Sequence, residues 1–164
     1  MIPKTVEIDG MKMTGRQIDE ETQEKLTQLF DSQLIAVLGT SSDDDPYTCL
    51  VGFEFTSDLR NVIFATMRNR LKYRQISSNP RVSLIIDNRK NAPSDFSHAT
   101  SVTIVGTAID TEEPERMRLA DMLVEKHPFL TDFVKDSDCA IMKVMVEKMY
   151  IVGDFERVQR INMA

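Results

Sequence analysis

Residues 61–87, NVIFATMRNRLKYRQISSNPRVSLIID, constrain the chain most, because two apolar runs flank the densest cluster of cations in an otherwise acidic sequence. Val62, Ile63 and Phe64 are β-branched or aromatic and lead into Ala65 and Thr66, as a buried strand does. Residues 82–86 repeat the pattern after Asn79-Pro80. Between the two runs lie Arg68, Arg70, Lys72 and Arg74. Residues 72–77 hold few apolar side chains and no glycine, which predicts a short helix closed by Ser78-Asn79-Pro80. The cations therefore sit where a strand hands over to a helix N-terminus, whose free N–H groups and positive dipole end suit an anion, phosphate above all. On the charges alone a solvated basic face is the commoner reading.

Elsewhere the pattern is that of a β-rich domain. Residues 1–16 read as an extended arm with a short strand at 5–8, and residues 17–164 as one domain, a length that supports a sizeable core. Asp19 is placed to cap a helix over residues 20–31, whose stripe is Ile18, Leu26, Leu29 and Phe30. Residues 34–40 form a first barrel strand. Residues 41–46, with three consecutive aspartates and Pro46, read as a loop excluded from both strand and helix. Residues 47–56 alternate as a second strand, and residues 87–99 form a polar loop whose Arg89, Lys90 and His98 could meet a substrate's anionic end.

A long strand is expected over residues 100–110. A helix then opens with Thr111 as N-cap and Pro114 in its first turn, burying Met117, Ala120, Leu123 and Val124. His127-Pro128 ends that helix, and residues 129–134 read as a second short one. Residues 140–146, 148–152 and 157–161 read as closing strands. Seven or so strands, two flanking helices and no βαβ alternation give a mainly β fold, an antiparallel barrel.

Several functions are disfavoured. A net charge of −6 argues against a general nucleic-acid binder, and no apolar run reaches bilayer length, so a cytoplasmic protein with no membrane partner is expected. Cys49 and Cys139 lie in apolar runs without Cys/His ligand spacing, which points to core residues rather than a disulfide or a metal site. The aspartate triplet lacks the later Gly and Glu of a calcium loop, and His127 has no ligand-spaced neighbour.

Phe64, Thr66, Lys72, Gln75 and the run Asn79-Pro80-Arg81-Val82-Ser83-Leu84 resemble the flavin-binding core of the pyridoxamine 5′-phosphate oxidase-like superfamily. The run Thr103-Ile104-Val105-Gly106-Thr107-Ala108 resembles that superfamily's next strand. The resemblance implies a split β-barrel of the FMN-binding type and a homodimer holding FMN at the subunit interface. It implies that the backbone of the second strand, at Leu50 and Val51, lies along the flavin ring, with Gly52 allowing close approach. Phe64, Ala65, Thr66, Arg70, Lys72 and Gln75 would complete one wall. Ser101 falls where a glutamine often touches the flavin, and Tyr150 and Arg160 would be the partner's contribution.

Departures from the oxidases proper are also visible. Cys49 stands where their second strand carries a phosphate-gripping arginine, Arg70 where they have a serine, and Gln159 where their C-terminal histidine would be. The resemblance thus implies an FMN-dependent oxidoreductase with a small-molecule substrate or electron acceptor, served by a nicotinamide donor, and it assigns no catalytic residue. The alternative is a cofactor-binding protein without turnover, or a heme- or deazaflavin-binding relative, because Val152-Gly153-Asp154-Phe155 weakly resembles a region of heme-degrading split barrels.

Overall fold

The structure, a computed structural model, describes residues 12–14, 18–153 and 157–164. Helix α1 (Glu20–Ser32) opens with the Thr22 N–H donating to the Asp19 carboxylate at 2.8 Å, the expected cap. The strands that follow are β2 (Ile35–Ser42), β3 (Asp45–Gly52), β4 (Glu54–Phe55) and β5 (Asn61–Met67). Helix α2 (Leu71–Ser78), β6 (Arg81–Asp87), α3 (Asp95–His98), β7 (Ser101–Asp110) and α4 (Glu115–Lys126) come next. Two 3-10 turns, Pro128–Leu130 and Phe133–Lys135, lead to β8 (Cys139–Gly153) and β9 (Arg157–Asn162). A short β1 (Lys12–Thr14) pairs parallel with β9, and every other pairing is antiparallel. The rest of the expected N-terminal arm, with its strand at residues 5–8, lies outside the described residues, as do Asp154 and Phe155.

Hydrogen-bonded neighbours run β3-β2-β6-β7-β8-β5-β4. Since β3 and β4 are separated only by Phe53, the path returns to the chain segment where it began. The result is a split β-barrel, its strands antiparallel and its flank covered by helices. Val62, Phe64, Leu84, Ile104 and Val144 fill the interior, where Phe30 of α1 stacks on Phe55 with ring centroids 4.0 Å apart. Ile63, one residue out of phase, packs with Ile141 against Leu119 and Leu123 of α4 on the outside.

Four sequence expectations are corrected. Residues 41–46 do not form a strand-excluding loop. β2 and β3 pair up to Ser42↔Asp45, and Asp43 and Asp44, both at positive φ (51° and 61°), make the two-residue turn. Aspartate tolerates that conformation and its twist suits a hairpin. Thr111 does not cap α4: its hydroxyl is buried and donates to the Ile141 carbonyl at 2.7 Å, and the helix begins four residues later. Met117 is exposed, and the buried stripe is Leu119, Ala120 and Leu123. Residues 140–146 and 148–152 are one strand, β8, carried past Glu147 by a bulge opposite Val105 and Gly106.

That bulge explains Gly106. A Cβ there would lie 2.3 Å from the Met145 carbonyl oxygen, which is backbone and cannot swing aside. Across the same bulge Glu147 accepts hydrogen bonds from the Arg81 guanidinium and from the Thr107 hydroxyl at 2.9 Å, tying three strands. Gly106→Ala is expected to destabilise the protein by about 2–3 kcal/mol in a urea melt, and an unchanged midpoint would show that the bulge relaxes freely.

Candidate functional site

The barrel is split because one strand serves two neighbours. β3 pairs with β2 from Asp45 to Gly52, the chain leaves the ladder at Phe53, and β4 pairs with β5 at Glu54↔Ile63 and Phe55↔Val62. On the side away from β8, the half of β5 from Phe64 to Met67 has no ladder partner among the described residues, and neither does the outer edge of β3. The two edges run side by side without pairing. Because the Thr56 N–H bonds to the Asn61 carbonyl at 3.0 Å, the alternation of an antiparallel ladder turns the N–H and C=O of Ala65 toward this split. Unpaired edges of this kind can be satisfied by a planar ligand with donors and acceptors on its rim.

The mouth of the split lies at the end of β5, where α2 begins. Arg70 is its N-cap residue and contributes no side-chain cap, and no acidic residue occupies the first turn. Its first N–H groups and positive dipole end are therefore available. Arg68 is not available: it pairs with Asp110 at 3.2 Å, and Tyr73 donates to the same carboxylate at 2.8 Å. Arg70, Lys72 and Arg74 form no ion pair among the described residues. Lys72 lies close enough to Cys49 on β3 to pull on its thiol, although burial, the larger effect, pushes that thiol above its usual range.

Gln75 fixes this helix. Its Oε1 accepts from the buried Thr40 hydroxyl at 2.5 Å and its Nε2 donates to the Asp45 carbonyl at 3.1 Å, so one side chain locks α2 onto the β2–β3 hairpin.

The expected site residues fall into two groups. Leu50, Val51, Phe64, Ala65, Thr66, Arg70, Lys72 and Gln75 gather around the split and α2. Within that group the side chains of Val51, Phe64, Thr66 and Gln75 are buried, so they shape the wall from behind, while Leu50 is 68% exposed. Ser101, Tyr150 and Arg160 lie elsewhere. Thr66 pairs with Ala140, and Tyr150 is ten residues further along β8, roughly 30 Å at the rise of a strand. One chain cannot bring both groups to one small molecule.

The register supplies the missing relation. Leu50, Val37, Ile85, Thr103, Tyr150 and Arg160 are successive Cα partners across β3, β2, β6, β7, β8 and β9, and so share one face of the sheet. Ile35 and Leu50 are among the exposed large hydrophobics of that face. Leu50, at the split, is one end of the row, and Tyr150 and Arg160 are the other. Sequence patterns carry no sign of this row, because strand order is not written in local periodicity.

A cavity of about 570 Å³ lies away from the split, between α1 and the ends of β7, β8 and β9, with Leu26, Leu29, Thr100, Ile151 and Gln159 in its lining. The structure describes no group of three or more His, Cys, Asp or Glu suited to a metal, and no described helix is long and apolar enough to cross a membrane.

A family profile described as pyridoxamine 5′-phosphate oxidase matches residues 22–153. The chain belongs to this family. No curated protein sequence matches it. Among solved structures it is similar to a heme binding protein from Mycobacterium smegmatis (16% identity, TM-score 0.78), covering 90% of this chain and 60% of that one. It is also similar to an FAD-binding protein from Mesorhizobium loti (16%, TM-score 0.64; 78% of this chain, 90% of that one). A third similar structure is HutZ, a heme storage protein from Vibrio cholerae (14%, TM-score 0.67; 81% and 97%). At these identities the likeness concerns the fold.

The lock on α2 is testable apart from any ligand. Gln75→Leu leaves the Thr40 hydroxyl and the Asp45 carbonyl without their partner, and a loss of about 1–3 kcal/mol in a urea melt is expected. A loss within error of zero would show that α2 is held by its other contacts, among them buried Ile76 and the Tyr73–Asp110 bond.

Proposed function

We propose that the protein is an FMN-binding oxidoreductase acting as a homodimer, with the flavin in the split of one subunit and against the sheet face of the other. The observation that carries this reading is the row from Leu50 to Arg160. A two-fold axis through its middle, near Ile85 and Thr103, lays one subunit's Tyr150 and Arg160 against the Leu50 end of the other. A two-fold interface is self-complementary, so both sites are completed by the same contact.

The residues present fit FMN. Its phosphate would meet Arg70, Lys72 and the open N-terminus of α2, where nothing acidic competes. The ring would lie along Leu50 and Val51 on one side and Phe64, Ala65 and Thr66 on the other, with the Ala65 backbone offering a donor and an acceptor. The partner's Ser101, Tyr150 and Arg160 would close the trough and exclude water. Cys49, held as a neutral thiol by burial, replaces a charged phosphate ligand with a small apolar wall, which shifts that task to Arg70 and Lys72.

Bound FMN supplies reversible hydride and electron transfer between a reduced donor, here a nicotinamide, and a small-molecule acceptor. The chain's own contribution is to bind, orient and desolvate; no side chain at the split is placed to act as general acid or base.

A second reading is a protein that holds heme or a deazaflavin without turning over a substrate, which the likeness to heme-binding structures supports. The chain carries two histidines, His98 on α3 and the buried His127, and neither belongs to the predicted wall of the split.

The absorption spectrum of purified protein, taken before and after addition of FMN and then of a nicotinamide donor without oxygen, separates the readings. The expected result is a flavin spectrum that bleaches with donor, in a particle of twice the chain mass. Protein that retains no FMN would remove this proposal, and a Soret band would favour the heme reading. In Arg70→Ala/Lys72→Ala, FMN affinity is expected to fall at least about a hundredfold, from two lost charge-assisted contacts; full flavin content after purification would show that the phosphate lies elsewhere. Leu50→Asp is expected to give a monomer by sedimentation, and a dimer that persists would move the interface to another face.

A further inference from the structure

Continuing the β4–β5 register by two and three residues would set Gly52 opposite Ala65 and Val51 opposite Thr66. Those are the residues that form the split. The ladder stops at Phe53, and two consecutive side chains at the end of α4 grip that residue. The His127 Nε2–H donates to the Phe53 carbonyl at 2.8 Å, and the Lys126 ammonium stands 4.0 Å from the centroid of the Phe53 ring. The same ammonium donates to the Phe30 carbonyl at 2.7 Å, which ties the grip to α1.

The histidine is wholly buried, and its ring packs against Gly52. A Cβ there would lie 3.5 Å from ring carbon Cε1 and 3.6 Å from Nδ1. Nδ1 is buried and has no hydrogen-bond partner among the described residues, so the ring is not there to satisfy a polar network. A buried group left in that state has a cost that an apolar residue of like size would avoid. What the imidazole adds over such a residue is one donor, delivered to the peptide at which the strand departs from its ladder.

We propose that His127 is a positioning residue for the cofactor cleft: it pins the Phe53 peptide off the ladder, keeping β3 from zipping onto β5. Without it the unpaired edges of β3 and β5 satisfy each other, as adjacent strand edges do, and the cleft closes in the free protein. The cofactor then has to reopen a ladder before it binds, which lowers its apparent affinity without altering a single direct contact. The consequence for ligand binding rests on the FMN reading above, but the effect on the strands does not.

Two variants and two measurements decide it. His127→Leu removes the donor and keeps an apolar filling, whereas His127→Gln can still place an N–H on the Phe53 carbonyl. Amide hydrogen exchange is measured on the full-length protein without flavin, and FMN affinity by quenching of flavin fluorescence. In His127→Leu, the amide of Ala65 is expected to exchange at least about tenfold more slowly than in the wild type while FMN binds at least about tenfold more weakly. His127→Gln is expected to resemble the wild type in both. A purely structural histidine would instead speed exchange around the break, so unchanged or faster exchange at Ala65 in His127→Leu overturns the proposal, as does slowed exchange that His127→Gln fails to reverse. If His127→Leu does not fold, Gly52→Val is measured in its place: its branched side chain crowds the ring and should shift exchange at Ala65 in the same direction, and no change there overturns the proposal. Wild-type protein that binds no FMN would refute the functional reading alone, since the exchange comparison is made without ligand.

Discussion

A backbone can satisfy only one ladder on each edge, and most of this structure follows from how the segment between Asp45 and Phe55 meets that limit. Its first eight residues pair with β2 and its last two with β5. The barrel therefore closes through the covalent chain at Phe53 rather than through hydrogen bonds all the way round. A fully closed barrel would have no free strand edges for a ligand's rim to pair with. Opening it along one seam creates two adjacent edges whose polar groups need partners, and α2 brings the positive end of a helix to the mouth of that seam. The groups that the open seam leaves unpaired are thus the ones the proposed cofactor would satisfy.

The cations around that seam divide by what they face. Arg68 is tied to Asp110 and donates to the Ser137 carbonyl at 3.1 Å, so it closes the β5–α2 connection against the start of β8. Arg70 and Lys72 stand beyond it with no such anchor. A basic cluster of four on a body of net charge −6 thus divides into Arg68, which is anchored, and cations that form no ion pair among the described residues. The acidic body repels anions at long range, and only the helix end combines charge with aligned N–H groups.

Much of this was legible in the chain. The alternation at Val62, Phe64 and Thr66, the helix ended by Asn79-Pro80, and the NPRVSL run point to the fold, because each is a local signal of period or of turn chemistry. The hairpin at Asp43-Asp44 was misread, since a run of aspartates looks like a solvated loop and only the twist of the flanking strands shows that two of them sit at positive φ. Thr111 was misassigned for a similar reason. A threonine before a helix is a cap in most settings, but here the Ile141 carbonyl of β8 takes its hydroxyl. The role of Gln75 as a lock, the bulge that requires Gly106 and the pairing of Tyr150 with Arg160 all depend on which strands become neighbours. Gln75 reaches partners 30 and 35 residues back in the chain, and Gly106 meets a strand 39 residues further on, separations that leave no local trace.

The relation between the two groups of expected site residues follows from that same topology. Tyr150 and Arg160 are paired across β8 and β9, and the outer sheet face carries them in line with Leu50. Within one subunit the row separates them from the split by the width of six strands, about 24 Å at the usual spacing. In the proposed two-fold pair the separation would become an overlap, because each end of the row would meet the other end of its copy. A barrel that seals itself has no use for this arrangement, whereas one opened at a seam needs a second surface to exclude water from whatever lies there. The exposed Leu50 and Ile35 lie on the face that the proposed second copy would cover.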